Sequence, residues 1–372
     1  MKKILLVANS AAEHINKFHL PIIAMLGEQG YQVDVACKED APVPGCRKQV
    51  ALPCDRNPFK GGLLRSIRAL RQALAREHYD LLCCNTVTGG IIGRLAAGPF
   101  RKKGLKVVYM VHGLHFFKGA SPLRWVLGWP MERLLMNRAD AVCTINEEDF
   151  LRVRDKMGFR GKTYRVHGVG LDGKRFRPAQ PEEKAKCRAE YGIAADAFTV
   201  IYVAELTKLK NQASLIRAAV LLKERIPNLT VLLVGFDHLK GKLQKEAARL
   251  GVAVTVQFLG WRTDVPRLLW AADAAVSTST SEGLPMNIME AAASGLPVAA
   301  YDNRGHRELI LNGETGVIVP QGDEEGLAGA LYDFYACPER SARMAEAATE
   351  YVRRFELENV LQEIRQMVEQ LI

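Results

Sequence analysis

The chain of 372 residues is defined first by what it lacks. No stretch approaches the roughly 18 apolar residues of a membrane-crossing helix; the longest clean runs, such as Leu229 to Val234, are strand-sized. Its eight cysteines form no Cys-x-x-Cys, and Cys83 and Cys84 are adjacent in an apolar run. Zinc-site and disulfide-scaffold patterns are therefore missing, and a reducing, cytoplasmic setting fits. There is no Asp-x-Asp, the commonest way of presenting paired carboxylates to a metal-bound diphosphate, so no metal ligands and no cofactor are expected. Low-complexity tracts and short-period repeats are absent as well. Zinc-finger spacing, an RNP-like aromatic motif and a recognisable recognition helix are also missing, which argues against nucleic acid as a partner. The start, Met1 to Ala8, imitates a signal peptide, but its apolar run is too short and meets Asn9, Ser10 and Glu13.

Composition is that of a globular protein, with 48% hydrophobic and 25% charged residues. The charge is unevenly placed. Residues 1–180 hold 30 Lys+Arg against 15 Asp+Glu, leaving 21 against 26 for residues 181–372. A basic front half and an acidic back half imply different partners.

Short β-rich runs alternate with helical patterns throughout. In the front half they are Lys3–Ala8, Gln32–Cys37, Asp80–Asn85, Lys106–Val111 and Ala141–Ile145, and Phe18, Ile22 and Met25 mark a helix over Ile15–Glu28. The back half repeats the scheme with Phe198–Ala204, Thr230–Gly235, Val254–Leu259, Ala274–Thr278 and Pro297–Tyr301. Strands separated by helix-length segments predict parallel sheets in two doubly wound α/β units. The Gly- and Pro-rich segment His167–Pro181 is the natural linker. The expected division is residues 1–170, residues 171–355 and a final helix, 356–372, that packs back on the first unit. Such folds bind ligands at the carboxyl ends of their strands, which predicts a shared interdomain cleft.

The stretch richest in chemistry follows the predicted strand Ala274–Thr278. It reads Ser279-Thr-Ser-Glu282-Gly283-Leu284-Pro285-Met286-Asn287-Ile288-Met289-Glu290 and runs on to Gly295-Leu-Pro297-Val298. A strand-to-helix turn offers backbone N–H groups to a diphosphate. Pro285 has no N–H, so Met286 and Asn287 are the expected donors. Glu282 and Glu290 bracket the turn, where two carboxylates beside a phosphate make sense as acceptors from sugar hydroxyls.

Through this segment the sequence resembles glycosyltransferase family 4, retaining enzymes of the GT-B fold with two Rossmann-like domains. The likeness rests on Glu-x7-Glu within Ser-Glu-Gly-Leu-Pro, on Phe258-Leu-Gly260-Trp-Arg-Thr-Asp264, on Arg304-Gly305-His-Arg-Glu308 and on Val111-His112-Gly113-Leu-His115-Phe116. It implies that Glu282 binds hydroxyls of the transferred sugar, assisted by backbone at Gly283 and Leu284. Glu290 would hold the ribose, with Gly235, Trp261 and Arg262 bordering the base. Lys210 would stabilise the diphosphate, and His112 would lie near the reacting anomeric carbon, with His14 and His115 on the acceptor side. Glu205 stands where the family carries an arginine. An exopolysaccharide and capsule biosynthesis subgroup looks similar in having Glu-Leu followed by Lys-Asn there.

The resemblance implies transfer of a hexose or N-acetylhexosamine from a nucleoside diphosphate sugar, a UDP-sugar, to a polyprenyl-diphosphate-linked saccharide. A nucleotide-sugar epimerase of similar fold and a non-catalytic nucleotide-sugar-binding protein remain alternatives. Lys60 to Leu74 reads as a basic amphipathic helix bearing Arg65, Arg68 and Arg71. With Arg101-Lys102-Lys103, Trp125 and Trp129 it predicts peripheral attachment of the first domain to anionic membrane on the cytoplasmic side.

Overall fold

The computed structural model describes residues 1–55, 62–117 and 119–372. Lys60, at the start of the expected amphipathic helix, lies outside the described residues. The chain forms two compact units, one of residues 1–170 with 358–372, the other of residues 171–357.

The first unit is built on a seven-stranded parallel sheet ordered β3-β2-β1-β4-β5-β6-β7. Its strands are β1 (Lys3–Val7), β2 (Gln32–Cys37), β3 (Lys48–Ala51), β4 (Leu81–Asn85), β5 (Lys106–Val111), β6 (Ala141–Thr144) and β7 (Lys162–Arg165). The central strands are apolar between polar ends such as Lys3, Asn85 and Lys106, and buried on both faces, as a sheet covered by helices on either side requires. The Cys83-Cys84 pair of β4 is buried within it, and all eight cysteines are free thiols. The edge strands β3 and β7 escape sequence reading because they are four residues long and half polar, as in Lys-Gln-Val-Ala.

The helix Leu63–Arg76 buries Ile67, Leu70 and Leu74 against this sheet and leaves Leu64 78% exposed. Its Arg65, Arg68 and Arg71 are exposed. The stretch read as one helix from Ile15 is broken: Ala11–Ile15 is a π-helical turn, and the regular helix Leu20–Glu28 buries Ile22, Ile23 and Leu26. The last helix, Leu357–Leu371, buries Val360, Ile364, Met367 and Val368. Its Glu363 accepts from the His167 backbone N–H at 2.8 Å.

The second unit carries a six-stranded parallel sheet ordered β10-β9-β8-β11-β12-β13. The strands are β8 (Phe198–Val203), β9 (Leu229–Val234), β10 (Val256–Gly260), β11 (Ala274–Ser277), β12 (Val298–Tyr301) and β13 (Val317–Val319). Alternation is visible in its packing. Val200, Tyr202, Val231 and Leu233 enter one buried cluster, while Ile201, Leu232 and Val234 enter the other. Each such side chain contributes roughly 1.5–3 kcal/mol of burial. Val254, expected to start β10, is 94% exposed in the preceding turn; its β-branched side chain suits a strand but finds no neighbour. No helix among the described residues is long and apolar enough to cross a membrane.

One buried ion pair ties the helices of the first unit to its sheet. Arg94, fully buried, meets Glu132 at 2.8 Å and lies 3.9 Å over the Tyr109 ring of β5. Tyr109 donates to the other oxygen of Glu132 at 3.2 Å. Removing one member leaves a buried charge alone, at about 3–5 kcal/mol. Glu132→Leu is therefore expected to lower unfolding free energy by that amount in urea titration, and the double variant with Arg94→Met to recover at least half. Additive losses in the double variant would contradict the pairing.

Candidate functional site

In the second unit β8, β11 and β12 are neighbours, so the loops after their carboxyl ends converge. Hydrogen bonds sew these loops together. Tyr202 of β8 donates through its hydroxyl to the Lys210 carbonyl at 2.9 Å, and Thr278 donates to the Asn211 carbonyl at 2.8 Å. The Thr280 N–H donates to the Leu209 carbonyl, also at 2.9 Å. From the β12 side Asn303 donates its amide to the Ser279 carbonyl at 2.9 Å. Asn211 takes a left-handed conformation, φ 53°, to turn the chain into the helix Gln212–Leu222.

This scaffold brings Lys210 and Glu282 into direct contact, with Nζ to Oε1 at 2.5 Å. Glu282 is held from below. Arg304 donates from Nε to the Glu282 carbonyl at 3.2 Å, and Gly305 packs so tightly that a Cβ there would lie 2.8 Å from the Glu282 Cβ. Only glycine fits. His306 closes the floor, with Nε2 3.0 Å from the Ser277 hydroxyl; burial pushes its imidazole down to about 4 and keeps it neutral. Arg304 and His306 belong to a segment quoted above for its likeness alone, and their support of Glu282 has no local signature.

The helix Met286–Ala293 begins at Pro285 with no side-chain cap, so the amides of Met286 and Asn287 begin the helix without one. Gly283 and Leu284 form the turn into it. Four residues along, Glu290 is mostly buried, and desolvation pushes its carboxyl up to about 7, with the Arg175 charge opposing the shift. Near neutrality Glu290 is poised between its two forms. Arg175, from the predicted linker, was not anticipated as its neighbour.

Gly235, at the end of β9, approaches the next loop so closely that a Cβ would fall 2.1 Å from the Ala204 carbonyl oxygen. After β10, Trp261 is 70% exposed, while the Arg262 guanidinium is tied to Asp264 by two hydrogen bonds, 2.8 and 2.5 Å. Glu205, half exposed, has its carboxylate 3.5 Å from His238. A cavity of about 620 Å³ lined by Lys184, Arg188 and Asp273 opens at the other, amino end of this sheet. Lys184 pairs with Asp273 at 2.7 Å and Arg188 with Asp273 at 3.1 Å, while Asp196 accepts from the Asn228 amide, which makes the cavity structural.

In the first unit His112 follows β5 directly, and its ring centroid lies 5.0 Å from that of His14. His19, absent from the sequence-derived candidates, completes the group at 4.8 Å from His14 and 5.7 Å from His112. His14 stands on the π-helical turn and His19 four residues beyond its end, a spacing of five with no signature in an ordinary helical pattern. His115 is exposed.

Two families match this architecture: "Glycosyl transferases group 1" over residues 183–351 and "Glycosyl transferase 4-like domain" over residues 15–170. A putative glycosyltransferase, EpsD, of Bacillus subtilis (strain 168) is 37% identical over 98% of this chain and 95% of its own. The chain belongs to this glycosyltransferase family. A UDP-Gal:alpha-D-GlcNAc-diphosphoundecaprenol alpha-1,3-galactosyltransferase of Escherichia coli is 25% identical over 85% of the chain and 83% of its own. Among solved structures, Anabaena Alr3699/HepE in complex with UDP and glucose superposes with a TM-score of 0.81 at 24% identity, covering both chains completely. The glycosyltransferase WaaG, involved in lipopolysaccharide biosynthesis, superposes with 0.76 at 16% identity, covering 99% of each chain. The fold of this glycosyltransferase is GT-B, with two parallel-sheet Rossmann-like domains.

The state of Glu290 has a measurable signature. Its folded pKa is raised above the unfolded value, so the unfolded chain loses the proton first and wild-type stability falls as pH rises from about 4.5 through 7. Glu290→Gln removes that penalty. In the unliganded protein it is expected to raise unfolding free energy by on the order of 3 kcal/mol at pH 8 and by little at pH 4.5. Equal effects at both pH values, measured by thermal denaturation, would refute the assignment.

Proposed function

We propose that this glycosyltransferase is a retaining, metal-independent hexosyl- or N-acetylhexosaminyltransferase. Its donor is a UDP-sugar and its acceptor a polyprenyl-diphosphate-linked saccharide in exopolysaccharide or capsule assembly. The observation that carries the reading is the Lys210–Glu282 pair beside the uncapped start of the helix Met286–Ala293. Here a cation, two amides and a carboxylate meet, which is what a diphosphate flanked by sugar hydroxyls needs. The name of the E. coli relative, a transferase acting on a diphosphoundecaprenol-linked sugar, supports the choice of acceptor. That of EpsD supports the exopolysaccharide setting.

On this reading the ion pair is a placeholder. An incoming diphosphate, with more negative charge than one carboxylate, takes Lys210, and the released Glu282 accepts hydrogen bonds from the sugar. The C1–O bond to the β-phosphate then breaks as the acceptor oxygen bonds to C1 on the same face. The acceptor proton passes to the departing phosphate oxygen. Lys210 and the amides of Met286 and Asn287 stabilise the charge on that oxygen throughout, while Glu290 in its ionised form accepts from the ribose. Trp261 and the Gly235 backbone border the base. His112 orients the reacting sugar, and His14 and His115 serve the acceptor.

A lipid-held acceptor requires the enzyme to reach a bilayer, and one helix of the first unit suits that task. Pro122–Met136 exposes Leu123, Val126, Leu127 and Leu134 by 61–74% each. Their spacing of three, four and seven places them along one side. Arg124 and Arg133 on the same helix are exposed. Trp125 and Trp129, expected to face lipid, instead pack on Phe116 with centroids 5.6 and 5.4 Å away. Arg101 is partly occupied by Asp140 at 2.7 Å. The docking surface proposed is thus this apolar helix face, with the arginines of Leu63–Arg76 adding electrostatic attraction on the cytoplasmic side of the membrane.

Product analysis with purified protein and UDP-hexoses, run in EDTA, is expected to yield a glycosylated acceptor with the anomeric configuration of the donor. Glu282→Ala and Lys210→Ala are each expected to lower kcat/KM at least tenfold. An epimerised donor, binding without turnover, or near-wild-type rates in both folded variants would overturn the reading. For docking, sedimentation with phosphatidylglycerol vesicles should fall as salt shortens the Debye length from about 10 Å at 0.1 M toward 3 Å at 1 M. Leu127→Asp should weaken it further at either salt. Absence of binding at low salt would favour a soluble acceptor.

A further inference from the structure

The three histidines of the first unit present an electrostatic problem that the transferase reading leaves unsolved. His14 Nε2, His19 Nδ1 and His112 Nε2 are all shut off from solvent, and none has a hydrogen-bond partner. One ring nitrogen from each of the three residues lies within 4.8 Å of the others. A buried polar atom left unsatisfied costs about 1–3 kcal/mol. Three converge here. A single cation can accept a lone pair from each of three neutral rings.

The surroundings prepare these rings as ligands. His19 Nε2 is 3.0 Å from Asn85 Oδ1, and the Asn85 amide group in turn donates to the Cys83 carbonyl at 3.3 Å. That orientation of the amide makes His19 Nε2 the protonated nitrogen and leaves Nδ1 with its lone pair. A metal-binding histidine is commonly held this way, by a hydrogen bond from its other nitrogen. The neutral imidazole is the form that binds metal.

We propose that His14, His19 and His112 form a binding site for a divalent transition-metal ion of the zinc type. The ligand set is all nitrogen, which disfavours the oxygen-seeking Mg²⁺, Mn²⁺ and Ca²⁺ and favours Zn²⁺. Three histidines with a fourth position left open is the ligand count of an accessible zinc site rather than of a closed structural one. At Zn–N distances of about 2.0–2.1 Å, tetrahedral ligands stand about 3.4 Å apart. Closing on an ion draws the ring nitrogens together, and His14, on the π-helical turn Ala11–Ile15, is partly exposed.

The site is built from residues of the first unit alone. Its consequence for turnover rests on the role proposed for His112. An ion that occupies His112 Nε2 withholds that nitrogen from the sugar, so Zn²⁺ inhibits a transfer reaction that itself runs in EDTA.

The test uses the full chain, stripped with EDTA, desalted and titrated with Co²⁺ alone. Expected is one equivalent bound, with visible d–d absorption of four- or five-coordinate cobalt, displaced by Zn²⁺. His14→Gln and His112→Gln are each expected to weaken Co²⁺ binding at least tenfold. His19 is in the core and its variant risks misfolding, so half-exposed His14 carries the test, with melting curves confirming the fold. No visible absorption, a thiolate charge-transfer band pointing to the free cysteines, or unchanged affinity in both variants would overturn the site. Zn²⁺ inhibition is read separately on the same preparations. Cobalt bound at these histidines without inhibition supports the site and counts against the sugar-contacting role of His112.

Discussion

The contact between Lys210 and Glu282 depends on a constraint of the parallel sheet: three adjacent strands must deliver their loops to one end. β8 supplies the lysine, β11 the glutamate, and β12 the Gly305 that lets the glutamate sit where it does. No two of these residues are close in sequence. Their meeting is a product of strand order, secured by hydrogen bonds from Tyr202, Thr278 and Asn303 to carbonyls of neighbouring loops. A side chain at 305 would strike Glu282 and disturb the pair from the side opposite to any ligand. The chemistry of the second unit thus rests on a backbone arrangement whose individual contributions are ordinary hydrogen bonds, each worth about 1 kcal/mol.

Much of this was legible in the sequence because parallel strands buried on both faces read as continuous apolar runs. Gln32–Cys37 and Lys106–Val111 agree with the strands to the residue. What the sequence concealed follows a physical rule. β3, β7 and β13 lie at sheet edges, where pairing on one side suffices and composition is less constrained. Val254 misled because β-branching reports on backbone preference and not on whether a neighbour exists. Trp125 and Trp129 misled in the opposite sense: large aromatic groups suit a lipid interface and a core equally, and Phe116 decided the matter.

Within the site, residues acting through their own side chains were visible and their supports were not. Glu282, Glu290 and Lys210 stand in a recognisable motif; Arg175, Arg304 and His306 reach them only through the fold. The histidine group shows the same limit more sharply. His14 and His112 were noted singly, but nothing in a spacing of 98 residues suggests a contact, and His19 joins them from beyond the π-helical turn that carries His14. A search for local motifs does not see a group that tertiary structure assembles.

The last helix carries a consequence for biogenesis. Residues 358–372 complete the first unit although they are made after the second, and Val360, Ile364, Met367 and Val368 are buried when they dock. A ribosome releases the chain in order, and domains ordinarily fold as they emerge. Here the amino-terminal unit emerges first and is finished last, after the whole of the other unit has been synthesised. Until then its docking surface for that helix is bare, so the nascent chain carries an uncovered apolar strip through most of translation, and the order of synthesis is the reverse of the order of completion.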